Sequence, residues 1–172
     1  MKIRQETPTD YTAVRALVKT SFAVNPDDDG TTHDYLDELR GKDTFIPELS
    51  LVAEADDGSI IGQIVLYKTI ISTPHGDLTE LLLSPICVHP SCFRQGIARR
   101  LVEEALRIAE AKGFRAVFLC GDPEIYGRFG FKPSYFYGIL HKTDEAGTAE
   151  WSMVRELVDG GLDGVCGTVD TV

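Results

Sequence analysis

The chain has 172 residues and a formal net charge of −10, from 27 Asp and Glu against 17 Lys and Arg. That length fits one domain with a full core, and the acidic balance argues against nonspecific binding to nucleic acid or to an anionic membrane surface. The four cysteines form no C-x-x-C pair and no metal-ligand spacing, so neither a metal centre nor a disulfide framework is expected and the expected setting is reducing and cytoplasmic.

No leader-like apolar segment opens the chain, and no apolar run approaches the roughly 18 residues that span a bilayer. From the start, Ile3 marks a short first strand, and Thr7-Pro8-Thr9-Asp10 is a helix-start signal. Val14, Leu17, Val18, Ser21 and Phe22 then share one face of a first helix. Residues 25–34, NPDDDGTTHD, read as a solvated acidic loop, since they lack the alternating ligands and distal Glu of a calcium loop. A second helix is expected over about 32–40. Residues 49–55 and 59–72 are strand-like and are joined by Asp56-Asp57-Gly58, the chemistry of a hairpin turn. Pro74-His75-Gly76-Asp77 turns the chain back again, so strands two, three and four form an antiparallel meander.

The stretch 78–112 is the most informative. Leu81, Leu82, Leu83, Ile86, Cys87 and Val88 form an apolar strand that Ser84-Pro85 interrupts, which suggests a kink or bulge. After the turn SCFRQ, Ile97, Leu101, Ala105 and Ile108, with Ala98, Val102, Leu106 and Ala109, repeat at helical spacing. A helix N-terminus carries about half a positive charge and favours acidic residues, yet Arg94, Arg99 and Arg100 gather at this one. Two readings stand. Either Glu103, Glu104 and Glu110 neutralise the arginines through helix-surface pairs, or the small residues Gly96 and Ala98 leave backbone N–H groups open to a bulky anion such as a pyrophosphate.

Residues 115–121, RAVFLCG, form an apolar strand that a helical crossover places parallel to strand four. Cys87 and Cys120 both lie in such runs, where a free thiol acts as a small buried hydrophobe. GDPEIYGRFGFKPS follows, with a helical turn capped by Asp122 and begun by Pro123. A last clear strand spans 151–158, and the Gly-rich tail is left unassigned. The chain holds no G-x-S-x-G, no G-x-x-x-x-G-K-[ST] and no G-x-G-x-x-G, so hydrolase, phosphate-loop and dinucleotide readings lack their residues.

The stretch around Gly96 resembles motif A of the GNAT acetyltransferase superfamily. There, Arg or Gln, two residues, Gly, one residue, and Gly or Ala follow a strand ending in a turn like Val88-His89-Pro90. Gly96 and Ala98 match the second and third anchors; the first falls on Phe93. Tyr126 to Phe131 resembles motif B, in which a Tyr precedes a Gly-Phe pair by four residues. The motifs occur in the family's order, and the resemblance covers about residues 1–140.

The resemblance implies a GNAT-like acyl-CoA N-acyltransferase fold: a mixed α/β architecture, mostly antiparallel, with a central parallel pair of strands four and five splayed apart and helices flanking the sheet. It implies a single N-acetyltransferase domain over 1–172, with motif A at about 78–112 and motif B at about 115–134. The implied cofactor is acetyl-CoA, with no metal, and the acceptor is a primary amine, of a small molecule ahead of a protein terminus or lysine. Backbone groups of Ile86, Cys87 and Val88 would hold the thioester and pantetheine arm. Gln95, Gly96, Ile97, Ala98 and Arg99 would cradle the pyrophosphate, with Arg94 and Arg100 adding charge. Tyr126 would be the acid for the thiolate, although its ring equally suits packing beside Phe129 and Phe131. Glu80 is the expected base, with Glu54 or water as alternatives. Segments 23–45 and 135–150, with Asp27 to Asp29, Asp34, Tyr35, Tyr135, Phe136 and Tyr137, would shape the acceptor pocket. Pairing as a homodimer is also an expectation. The competing readings are a non-catalytic acyl-CoA-binding or sensor module and an anion-binding structural domain.

Overall fold

The computed structural model describes residues 1–25 and 28–171. They divide into two compact units, Met1–Leu66 with Ser84–Ile108, and Tyr67–Leu83 with the chain from Ala109 onward.

The first unit holds β1 (Lys2–Gln5), α1 (Tyr11–Phe22), α2 (Thr32–Leu39), β2 (Phe45–Glu54), the first part of β3 (Ile60–Thr73), the last part of β4 (Gly76–Val88) and most of α3 (Ile97–Ala111). Its strands run in the order β1-β2-β3-β4, with β1 antiparallel to β2 from Lys2↔Glu54 to Gln5↔Leu51. The helix-start signal forms a capping box in which the Thr7 backbone N–H donates to Asp10 at 2.8 Å. Val14, Leu17, Val18 and Ser21 are the buried face of α1, and Leu101, Val102, Ala105 and Leu106 that of α3. Gly62 of β3 lets α3 lie close, because a Cβ there would stand 3.0 Å from Leu101 and 3.1 Å from Ile97. The start of α3 is therefore seated by a missing side chain in β3. Ser84-Pro85, the expected interruption of β4, is a cis peptide bond.

The second unit combines the remaining parts of β3 and β4 with β5 (Ala116–Cys120), α4 (Pro123–Tyr126), β6 (Lys132–Pro133), β7 (Ile139–His141), β8 (Ser152–Glu156) and β9 (Gly167–Val169). Strand order is β3-β4-β5-β8-β6. The β4–β5 ladder is parallel and contains only Leu81↔Val117 and Leu82↔Phe118, after which pairing stops although both strands run on. The expected mixed α/β sheet with its parallel pair and flanking helices is what the chain adopts. β8 lies antiparallel on β5 from Ala116↔Glu156 to Cys120↔Ser152.

The Gly-rich tail, unassigned from sequence, supplies β9, antiparallel to β3 at Ile71↔Val169 and parallel to β7. Gly167 permits this docking, because a Cβ there would fall 2.2 Å from the Ser72 carbonyl oxygen. No helix among the described residues is long and apolar enough to cross a membrane.

Candidate active site

In the first unit, β4 ends at Val88, and a 3-10 turn at Pro90–Cys92 carries the chain to the loop before α3. The turn is tied by the Cys92 N–H donating to the His89 carbonyl at 2.8 Å, and His89 Nδ1 accepts from the Ser91 N–H. Arg94 has φ +62°, the one positive φ outside glycine among the described residues, and Gly96 has φ +77°. A left-handed arginine costs on the order of 1–2 kcal/mol, and such strain concentrates at functional sites. The first bond of α3 runs from the Arg100 N–H to the Gly96 carbonyl at 3.1 Å. The N–H groups of Gly96, Ile97 and Ala98 precede it and have no partner within the helix. A Cβ on Gly96 would meet nothing within 4 Å, so the space beside this glycine is open.

Charge separates the two readings of this loop. Glu103 reaches Arg99 at 3.7 Å and Glu104 pairs with Arg107 at 2.7 Å. Surface neutralisation thus takes up Arg99 and leaves Arg94 and Arg100 exposed without a carboxylate partner among the described residues. Gln95 is exposed beside them. On β4, Ile86 and Val88 are half-buried and Cys87 is buried. Burial pushes the Cys87 thiol up to about 12, so it behaves as a small hydrophobe. Ser21 of α1 donates to the Val88 carbonyl at 3.1 Å, which fixes the end of the strand.

In the second unit, Asp122 caps α4 by accepting the Glu124 N–H at 2.8 Å, and Tyr126 closes that helical turn. The Tyr126 ring stands 6.3 Å from Phe129 and 6.2 Å from Phe131, centroid to centroid. Its ring is therefore packed, as one sequence reading has it, while its hydroxyl carries no hydrogen bond among the described residues. Burial raises the phenol above its ordinary value, so the group holds its proton at neutral pH.

Glu80, the expected base, is engaged elsewhere in the structure. It is 2 % exposed, and its carboxylate accepts from Arg115 Nε at 2.8 Å and from the backbone N–H groups of Arg115 and Ala116 at 2.9 and 3.2 Å. Both oxygens are thus committed to joining β4 to the start of β5, which is a structural task. Glu80→Gln is expected to keep turnover from about pH 6 to pH 9 while lowering stability by about 1–3 kcal/mol, as read from activity and from the denaturation midpoint. Glu54, the alternative base, lies between Arg4 and Lys2, and Arg4 first, then Lys2, holds its carboxyl below the usual range.

The acidic acceptor candidates are engaged as well. Asp28 and Asp29 accept from the N–H groups of Gly30 and Thr31, and Asp34 pairs with Arg15; Asp27 lies outside the described residues. Tyr135 and Phe136 stack edge to face at 4.6 Å, and Phe136 is exposed. Cys120, expected to be buried, is exposed at the last position of β5. Its Sγ lies 3.1 Å from Thr171 Oγ1, itself 2.8 Å from His141 Nε2. No local pattern announces these contacts, because their members are 30 and 51 residues apart.

Residues 2–134 match the family model described as the acetyltransferase (GNAT) domain. An uncharacterized N-acetyltransferase, YhbS, of Escherichia coli K12 is 34% identical over 170 residues, which cover 99% of this chain and 95% of that protein. The crystal structure of Escherichia coli YhbS in complex with CoA superimposes with a TM-score of 0.84 at 31% identity, covering 98% of this chain and 88% of that one. A GNAT family acetyltransferase of Brucella melitensis in complex with acetyl-CoA superimposes with a TM-score of 0.78 at 26% identity, over 98% and 93% of the two chains.

Proposed function

The chain belongs to the GNAT acetyltransferase family, and from that premise we propose that it transfers an acetyl group from acetyl-CoA to a primary amine by direct attack in a ternary complex. The observation that carries this reading is the loop 94–100, where left-handed Arg94 and Gly96, N–H groups without a partner in the helix, and Arg94 and Arg100, without a carboxylate partner among the described residues, converge. The CoA and acetyl-CoA held by the two similar crystal structures support it. Strands β3 and β4 run through both compact units, which supports reading residues 1–172 as one domain.

When bound, acetyl-CoA supplies the acetyl group as an activated thioester. Gly96, Ile97 and Ala98 present N–H groups to its pyrophosphate, with Gln95 and Arg99 beside them, and Arg94 and Arg100 add charge. Ile86, Cys87 and Val88 offer the β4 backbone to the pantetheine arm and thioester. As the amine nitrogen bonds to the carbonyl carbon and the carbon–sulfur bond breaks, Tyr126 gives its Oη proton to the sulfur. The amine loses its own proton through water, since Glu80 and Glu54 are held in ion pairs. A small-molecule amine is the favoured acceptor.

A thermal-shift titration with acetyl-CoA, CoA and ATP tests the cofactor. Both CoA forms are expected to stabilise the protein, by about 2.7 kcal/mol at a hundredfold excess over Kd, and ATP is not. No shift with either CoA form overturns the reading. Phe93 at the first anchor and the commitment of both carboxylates favour one other possibility, a non-catalytic acyl-CoA-binding module.

A further inference from the structure

Gly121, immediately after β5, is a glycine whose backbone does not need to be one. Its φ lies outside the left-handed region, unlike Gly96 or Gly130, and its N–H donates to the Trp151 carbonyl at 2.9 Å as in an ordinary ladder. The constraint is steric and comes chiefly from one residue. A Cβ at Gly121 would stand 2.2 Å from Cε2 and 2.5 Å from Cδ2 of Tyr126, with Leu119 Cδ1 next at 3.2 Å. The edge of the tyrosine ring thus occupies the volume of the missing methyl group.

The clash is relieved at the Tyr126 side chain and not at its backbone. Phe129 and Phe131 flank the ring. The Tyr126 backbone is fixed at both polar groups: its N–H donates to the Asp122 carbonyl at 2.9 Å, and its carbonyl accepts from the Phe131 N–H at 3.3 Å. A side chain at position 121 therefore turns the ring away and carries the hydroxyl at its far end with it. A hydroxyl with no hydrogen bond among the described residues is located by ring packing.

We infer that Gly121 is a positioning residue for the reaction: its bare Cα is the surface that sets the Tyr126 hydroxyl where the leaving sulfur needs it. This rests on the acid role proposed above for Tyr126. A displacement of about 1 Å at a reacting group costs up to 100-fold in rate, so the substitution acts on kcat and spares the pyrophosphate loop in the other unit.

The test is a double-mutant cycle with Gly121→Ala and Tyr126→Phe, reading kcat, the KM for acetyl-CoA and the melting temperature. Gly121→Ala is expected to lower kcat about 10- to 100-fold with the acetyl-CoA KM within about twofold of wild type. In the Tyr126→Phe background it is expected to cost nothing further, because the hydroxyl is already gone. Multiplying losses, or a Gly121→Ala enzyme with full turnover, overturn the inference while leaving Tyr126 its role. Full turnover in Tyr126→Phe alone overturns the acid role itself. Should Gly121→Ala fold poorly, pairing it with Tyr126→Ala is expected to restore the melting temperature to that of Tyr126→Ala alone. A persistent loss there places the clash elsewhere and contradicts the inference.

Discussion

Tyr126→Phe is expected to lower kcat about 100-fold or more while leaving the affinity for acetyl-CoA nearly unchanged. The size follows from the loss of a positioned proton donor, which contributes about 10² to 10⁴ in rate. The selectivity follows from what the substitution preserves: the ring keeps its packing against Phe129, Phe131 and the bare Cα of Gly121, so the fold and the first unit's loop are untouched. The pH dependence has a definite sign. Burial disfavours the phenolate, so the folded value lies above the ordinary one near 10. The proton needed by the leaving sulfur is therefore held through the neutral range, and its loss lowers kcat only above about pH 10. A kcat that falls through neutral pH in wild type and not in Tyr126→Phe would contradict this.

Removing the charge of the loop is expected to act on binding instead. Arg94→Ala with Arg100→Ala should raise the Kd for acetyl-CoA about 30- to 900-fold, from two charge-assisted hydrogen bonds of about 1–2 kcal/mol each, and should weaken its dependence on salt. Turnover at saturation should change little. Arg94 carries two contributions that separate experimentally. Its φ of +62° suits glycine, so Arg94→Gly keeps the turn and loses only the guanidinium, whereas Arg94→Ala loses the charge and retains the strain. Gly96→Val combines a β-branched residue at φ +77° with a side chain over the donors, and a loss of at least tenfold in acetyl-CoA affinity is expected. Calorimetric titration of these variants checks all three statements.

The elements legible in the sequence are those whose signal is local. Val14, Leu17 and Val18 reveal α1, Leu101, Val102 and Ala105 reveal α3, and Asp56-Asp57-Gly58 reveals the β2–β3 hairpin, because periodicity and turn chemistry need no distant partner. Strands β6, β7 and β9 have two or three residues each. They exist because β8, β3 and each other offer edges to pair with, and nothing in Lys132-Pro133 or Gly167-Thr168-Val169 announces that. The loop at Gly96 was readable because its anomaly, positive charge at a helix start, is written in consecutive residues. The fate of Glu80 was not, since its partner Arg115 lies 35 residues on. Gly121 left a faint trace: a glycine at a strand end, beside a helical turn carrying a tyrosine.

The most direct measurement is CoA thiol release by the protein with saturating acetyl-CoA, with and without a broad panel of primary amines, with acetylated product identified by mass. Amine acetylation matching thiol release mole for mole, and lost in Tyr126→Phe, is the predicted result. Protein that binds acetyl-CoA yet releases thiol no faster with any amine than without one would contradict acetyl transfer and leave a non-catalytic acyl-CoA-binding module.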